Sequence, residues 1–232
     1  MKRAITFLLL FAAAASLTAQ TSCGTVKDYD GNTYATVQIG EQCWMKENLR
    51  TTHFSDGTAI PVGGDEISVN EPYYYDLSDS NIPLSVRGYL YNWVAAMNSC
   101  PKGWHLPSDA EWSQLTDYLG SRSEYVCGWD TENIAKALAS SEYWERWDDD
   151  ECTVGDQSQH SNNATGFSAV PTGCCLGSSF KRAGEYAYFW SSSQPENDPS
   201  DVSGRYMAYH IAGVNHLNGG RLGGRSVRCL RD

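Results

Sequence analysis

Eight cysteines, two acidic loops and four arginines near the C-terminus are the residues able to do chemistry in this chain. The cysteines are Cys23, Cys43, Cys100, Cys127, Cys152, Cys174, Cys175 and Cys229. None stands in a Cys-x-x-Cys pair, and no Cys/His set has zinc-finger spacing, so structural zinc is a poor reading. No Gly-x-Ser-x-Gly element is present to raise a nucleophilic serine. Asp148, Asp149, Asp150 and Glu151 in one loop, and Asp76, Asp79 and Asn81 in another, offer the hard oxygen ligands that suit calcium. A run of like carboxylates is ordinarily a solvated face, however. The expectation is therefore no bound cofactor, with calcium the one ion these loops would suit. His105 lies between Trp104 and Leu106, which argues for a packed structural role. Arg205, Arg221, Arg225 and Arg228 would suit an anionic ligand, although pairing with acids on a sheet face is the plainer account.

The chain has 8 Trp and 14 Tyr among its 232 residues. These rings bury much area and keep a polar handle, so they serve both cores and carbohydrate-type surfaces. Tyr73, Tyr74 and Tyr75 fall in the loop-like stretch 53–85, and Trp144 precedes and Trp147 lies within the polar stretch 145–165. Loops on a rigid scaffold carry recognition, and aromatic anchors dominate interface energy. These five are the expected ligand-contacting residues.

The start of the chain sets the compartment. Lys2 and Arg3 precede an apolar run, Ile5 to Ala15, and Leu17-Thr18-Ala19 closes it with a small residue. That is the pattern of a secretory leader over residues 1–19, too short to remain as a membrane span. Cys23 follows Gln20-Thr21-Ser22 and so lacks a lipoprotein context. An even cysteine count in an exported chain reads as disulfides. Without Lys2 and Arg3 the chain holds 15 basic against 28 acidic residues, a net charge of about −13. That argues against nucleic acid and anionic membrane surfaces as partners. The expected location is secreted, periplasmic or cell-surface, and the expected partner is an extracellular glycan or protein.

These residues need elements to hold them. Thr33–Ile39 alternates, Gly40-Glu41-Gln42 turns, and Cys43-Trp44-Met45 runs on, which predicts an N-terminal hairpin. Cys23 and Cys43 flank it and are expected to pair. Gly88–Trp93 begins a further apolar element. Ser108 with Glu111 three residues on forms a capping box, and Trp112, Leu115 and Leu119 follow at helical spacing to Gly120. A second helix is expected over 131–144, with Ile134, Leu138 and alternating alanines on its apolar face. Strands are expected over 185–192, 205–211 and 225–230, with Gly213, Gly219, Gly220, Gly223 and Gly224 marking turns. The order is α+β, in one domain over 20–232.

Six blocks occur in this order: Ile39-Gly40-Glu41-Gln42-Cys43-Trp44-Met45-Lys46-Glu47-Asn48-Leu49, Leu90-Tyr91-Asn92-Trp93, Cys100 through Trp112, Ala164-Thr165-Gly166-Phe167-Ser168-Ala169, Phe189-Trp190-Ser191-Ser192-Ser193, and Ser226-Val227-Arg228-Cys229. Together they resemble the Fibrobacter succinogenes major paralogous domain, common in exported proteins of Bacteroidetes and Fibrobacteres. The block Gly103–Trp112 is also similar to an element of the formylglycine-generating, sulfatase-modifying family. That likeness implies a C-type-lectin-like fold, in which the chain ends lie side by side and a Cys100–Cys229 bridge would fit. Cys127 and Cys152 flank the second helix and suggest another pair. Cys174 and Cys175 are adjacent and would either bridge each other or reach elsewhere. Four cysteines admit three pairings, and the sequence does not choose among them. The formylglycine-generating enzymes bind copper with a free cysteine pair near the chain end, where this chain has only Cys229. Sugar-binding C-type lectins carry Glu-Pro-Asn and Trp-Asn-Asp motifs. Here Pro195-Glu196-Asn197-Asp198 and Trp190-Ser191-Ser192 depart from both. The resemblance thus implies a non-catalytic recognition or adhesion module. An exported enzyme and a structural subunit binding another protein are the alternatives.

Overall fold

The computed structural model describes residues 21–65, 68–195, 198 and 200–232. The secretory leader expected over 1–19 lies outside them, as do Glu196 and Asn197. The elements run β1 (Thr25–Lys27), β2 (Thr33–Ile39), β3 (Gln42–Met45), β4 (Tyr74–Tyr75), α1 (Leu84–Arg87), β5 (Leu90–Tyr91), α2 (Trp93–Ala96), β6 (Trp104–His105) and α3 (Asp109–Gly120). After these come α4 (Ala135–Leu138), β7 (Cys174–Leu176), β8 (Ser179–Lys181), β9 (Tyr186–Trp190), β10 (Asp201–Ala208), β11 (Asn215–Gly220), β12 (Arg225–Ser226) and β13 (Leu230–Arg231). The architecture is α+β and sheet-rich.

The N-terminal hairpin forms as its alternation implies, with Thr36 opposite Met45 and Ile39 opposite Gln42. The chain's last strand joins it: Leu230 of β13 pairs with Trp44 on one side and His105 on the other. A larger sheet has the order β11-β10-β9-β12-β5-β4. Helix α3 is capped at Ser108, whose hydroxyl accepts from Glu111 N while the Glu111 carboxylate accepts from Ser108 N at 2.7 Å. Its buried residues Trp112, Leu115 and Leu119 pack into a core with Trp44, Phe167 and Phe189. The Trp44 and Trp112 ring centroids are 4.8 Å apart.

The helix expected over 131–144 shrinks to the single turn α4. Ala135 N donates to Ala212 O and Ser140 N to Ala169 O, so tertiary carbonyls replace the helical ladder. Ala139 is already extended, and Tyr143 takes φ 76°, which no helix allows. The apolar pattern signalled burial correctly, since Ile134, Ala135 and Leu138 are in the core. The run 225–230 is not one strand either: β12 belongs to the larger sheet and β13 to the hairpin sheet. Gly219 and Gly220, expected in a turn, lie within β11, which pairs with β10 from Asp201↔Gly220 to Tyr206↔Asn215. Tyr74 and Tyr75, expected in a loop, form edge strand β4.

Three disulfides staple the described chain: Cys23–Cys43, Cys100–Cys229 and Cys127–Cys152, with Cα separations of 6.3, 5.9 and 5.4 Å. Cys174 and Cys175 are free, which corrects the expectation that they are bonded. They are neighbours on β7, where successive side chains point to opposite faces. Among the described residues no helix is long and apolar enough to cross a membrane.

Candidate ligand-binding face

Strand β9 reads Tyr-Ala-Tyr-Phe-Trp. Its period of two sends Ala187 and Phe189 into the core and Tyr186 and Tyr188 to the opposite face. Register extends that face across the sheet. Tyr206 on β10 stands opposite Tyr188, and Gly204 opposite Trp190. On β11, Asn215 and Leu217 continue the same rows. Tyr186 and Tyr188 stack with centroids 5.3 Å apart and planes 4° from parallel, and Tyr206 lies 6.1 and 5.9 Å from them.

The row continues toward the loop after α4. His210 lies 5.9 Å from Tyr186, and Trp147 lies 5.7 Å from His210 and 5.6 Å from Tyr209. Backbone bonds seat Trp147 there: Trp147 N donates to Gly155 O, and Gly155 N to Tyr209 O. All these rings are half-buried, held by one another with part of each surface open.

Cations border this face. Lys181 pairs across β7–β8 with Cys174. The Arg182 guanidinium sits 5.3 Å over the Tyr186 ring and 2.8 Å from Glu185. Arg225 lies 3.9 Å over the Trp190 ring. Its bed is made by two glycines. A Cβ on Gly219 would stand 2.9 Å from Nη2, and one on Gly204 would stand 3.1 Å from Nη1. Burial lowers the Arg225 pKa to about 10, so it stays charged at neutral pH. Burial also pushes the Tyr188 phenol up to about 12, and the Cys174 thiol upward against the pull of Arg225, Lys181 and Arg182. Both are neutral donors, and a protonated thiol is a poor nucleophile. Beside the face, where β11 leads toward β12, a cleft of about 910 Å³ is lined by Val69, Leu176, Asp201, Arg221 and Leu222 among others.

Of the five aromatic residues expected at a ligand surface, only Trp147 joins this face. Trp144 is 5 % exposed and belongs to the core, and Tyr75 is 2 % exposed beside Leu90 and Cys175. Burial takes both out of direct contact with a ligand, which corrects that expectation. Tyr73 packs on the Tyr75 cluster and Tyr74 on Tyr89 at 4.7 Å, at the far edge of the sheet. The missed residues, Tyr186, Tyr188 and Tyr206, had a legible signal: two tyrosines two apart in a strand, separated by a small inward alanine.

The acidic loops do not converge. Among the described residues no group of three or more His, Cys, Asp or Glu is placed to hold a metal. Asp150 accepts from Cys152 N at 2.8 Å, and Asp76 pairs with Arg87 at 2.7 Å. Cys229 is bonded to Cys100, so its sulfur is not a free copper ligand. His105 is half-exposed rather than packed. Its ring bridges Glu111 Oε1 at 2.9 Å and Asp232 Oδ1 at 2.7 Å, tying the C-terminus to α3.

Fold and face together define a disulfide-bonded α+β domain with an aromatic surface on its larger sheet. The chain belongs to the Fibrobacter succinogenes major domain family, whose sequence profile matches residues 37–231. No curated protein matches it, and no solved structure does.

Proposed function

We propose that this chain is an exported, non-catalytic recognition module of C-type-lectin-like fold, acting in surface adhesion by binding a glycan on the outer face of β9–β11. The observation that carries the reading is the stacked Tyr186–Tyr188 pair with Tyr206 beside it on a rigid sheet. Tyrosine offers a flat apolar body and a hydroxyl with only two side-chain torsions to immobilise, which suits sugar rings. The sheet beneath is held by a continuous core, so the platform is preorganised. Three disulfides suit an oxidising compartment. The C-terminal strand lying against the N-terminal hairpin fits the lectin-like arrangement of chain ends.

The test is a glycan array probed with the disulfide-intact protein and with Tyr188→Ala. Removing one stacking ring is expected to weaken retention about fivefold, from roughly 1 kcal/mol of lost ring contact. Circular dichroism would confirm that the variant is folded. Equal retention by the variant, or no retained glycan at all, would overturn the reading.

A further inference from the structure

The four C-terminal arginines have different fates. Arg205 is ion-paired with Asp109 of α3. Arg228 is fully enclosed, and its guanidinium donates to Asn48 Oδ1 at 2.7 Å and to the carbonyls of Met45, Lys46 and Phe167. Arg221 stacks 4.9 Å over Trp93 in the wall of the cleft. Arg225 is only 9 % exposed, yet it makes no ion pair or side-chain hydrogen bond among the described residues, and its Nη1 is enclosed with no acceptor. The chain nevertheless builds a specific seat for it, with an indole face below and two glycines clearing the space.

A buried guanidinium without an acceptor is costly to hold, and the cost is removed when an anion supplies charge-assisted hydrogen bonds. Resting on the glycan reading above, we infer that the ligand is acidic: a carboxylate- or sulfate-bearing sugar whose ring lies on Tyr186, Tyr188 and Tyr206 while its anion meets Arg225. Charge complementarity supports this occupant. The chain as a whole carries a net charge of −11, yet Lys181, Arg182 and Arg225 cluster around this face. The groups that face Arg225 are Cys174 and Tyr188, both uncharged at neutral pH, and Asp201, which is not within ion-pair distance. Arg182 is already engaged by Glu185 and Lys181 is an exposed side chain, so Arg225, enclosed and without an acceptor, is the anchor.

Two measurements on the disulfide-intact chain decide it. In the first, sodium sulfate is titrated at fixed ionic strength against sodium chloride, while NMR follows the Arg225 Nε–H. A saturable shift at Arg225, absent at Arg228, is expected; no saturable shift overturns the anion site. In the second, immobilised uronate-, sialyl- and sulfate-bearing glycans are compared with neutral glycans of the same backbone. The wild type is expected to retain the acidic set at least tenfold better, and Arg225→Gln to lose that preference while still binding the neutral set weakly. Equal retention of acidic and neutral glycans overturns the acidic-ligand inference and leaves the tyrosine-face reading standing. Retention of acidic peptides but no glycan overturns both. Should Arg225→Gln fail to fold, Arg225→Lys replaces it. Lysine keeps the charge but not the planar fork, and at least a fivefold loss for the acidic set is expected. Unchanged retention by Arg225→Lys counts against the inference.

Discussion

The two faces of the larger sheet are built to opposite rules, and residues close in sequence display the contrast. Phe189 points inward, is 1 % exposed, and packs against Trp112 and Phe167 at centroid distances of 5.6 and 5.9 Å. Tyr188, its neighbour, points outward into a stack with part of its ring open. Arg225 and Arg228 are three residues apart, and burial lowers both pKa values, to about 10 and about 9. Arg228 is saturated with acceptors on the core side, while Arg225 on the outer side has none. The inner face is arranged for stability, and the guanidinium it encloses is met by acceptors. The outer face holds exposed ring surface and a donor group in reserve, as a surface awaiting a ligand would.

The largest expected effect concerns the sulfurs. Replacing Cys100 and Cys229 together by alanine opens a loop spanned by a sequence separation of 129. It should cost about 4–5 kcal/mol in the loop-entropy account. Cys174→Ser, on the outer face, should leave the thermal midpoint within a degree or two of wild type. Equal losses in thermal melts would erase the distinction between the faces.

Next come the arginines. Arg228→Met strands Asn48 and several carbonyls, and should destabilise by about 3–5 kcal/mol. Arg225→Met removes a buried cation that has an indole face but no hydrogen-bond or ion-pair partner among the described residues, so stability should hold or rise. Denaturant unfolding of the two variants measures both, and a fall for Arg225→Met as large as for Arg228→Met would make Arg225 a structural residue.

The adjacent aromatics sharpen the same contrast. Phe189→Ala should cost about 3–5 kcal/mol of stability. Tyr188→Ala should cost much less stability, with its main loss read in ligand retention. A Tyr188→Ala protein as unstable as Phe189→Ala would show that the tyrosine row is core.

The smallest effect lies at the rim. Hydrogen bonds and charge from Asp232 and Glu111 outweigh desolvation and raise the His105 pKa above its ordinary 6.5. A raised folded value means that the contribution is fully present below pH 6.5 and is lost as pH climbs through the folded value. These groups are partly exposed, so the loss should stay under about 1 kcal/mol. Partial desolvation would raise the Glu111 carboxyl, but its bonds to Ser108 and His105 win and hold its pKa below the usual range, so its own contribution fades only on acidification. Thermal midpoints of wild type and His105→Gln across pH 6–9 should converge at the alkaline end, and parallel curves would exclude His105 as the source.

Much of the scaffold was legible in the residues themselves. The Ser108–Glu111 cap, the alternation of 33–39 and the pairing of Cys23 with Cys43 across the hairpin are local patterns, and short-range sterics and hydrogen bonding suffice to read them, whereas the even cysteine count misled for Cys174 and Cys175. The length of α4 was not legible, because the carbonyls of Ala212 and Ala169 that end its ladder lie 77 and 29 residues away from their donors Ala135 and Ser140. Nor was the identity of the exposed aromatics, since Trp144 and Trp147 look alike in sequence and differ only in which side of the sheet their loop reaches. The state of Arg225 is the clearest case. A side chain's partner is whatever folding brings within about 3 Å of it, and hydrogen-bond energy falls off too steeply for spacing along the chain to foretell it. Sequence determined that four arginines stand near the C-terminus; tertiary structure alone decided that one of them is left with its donors uncommitted.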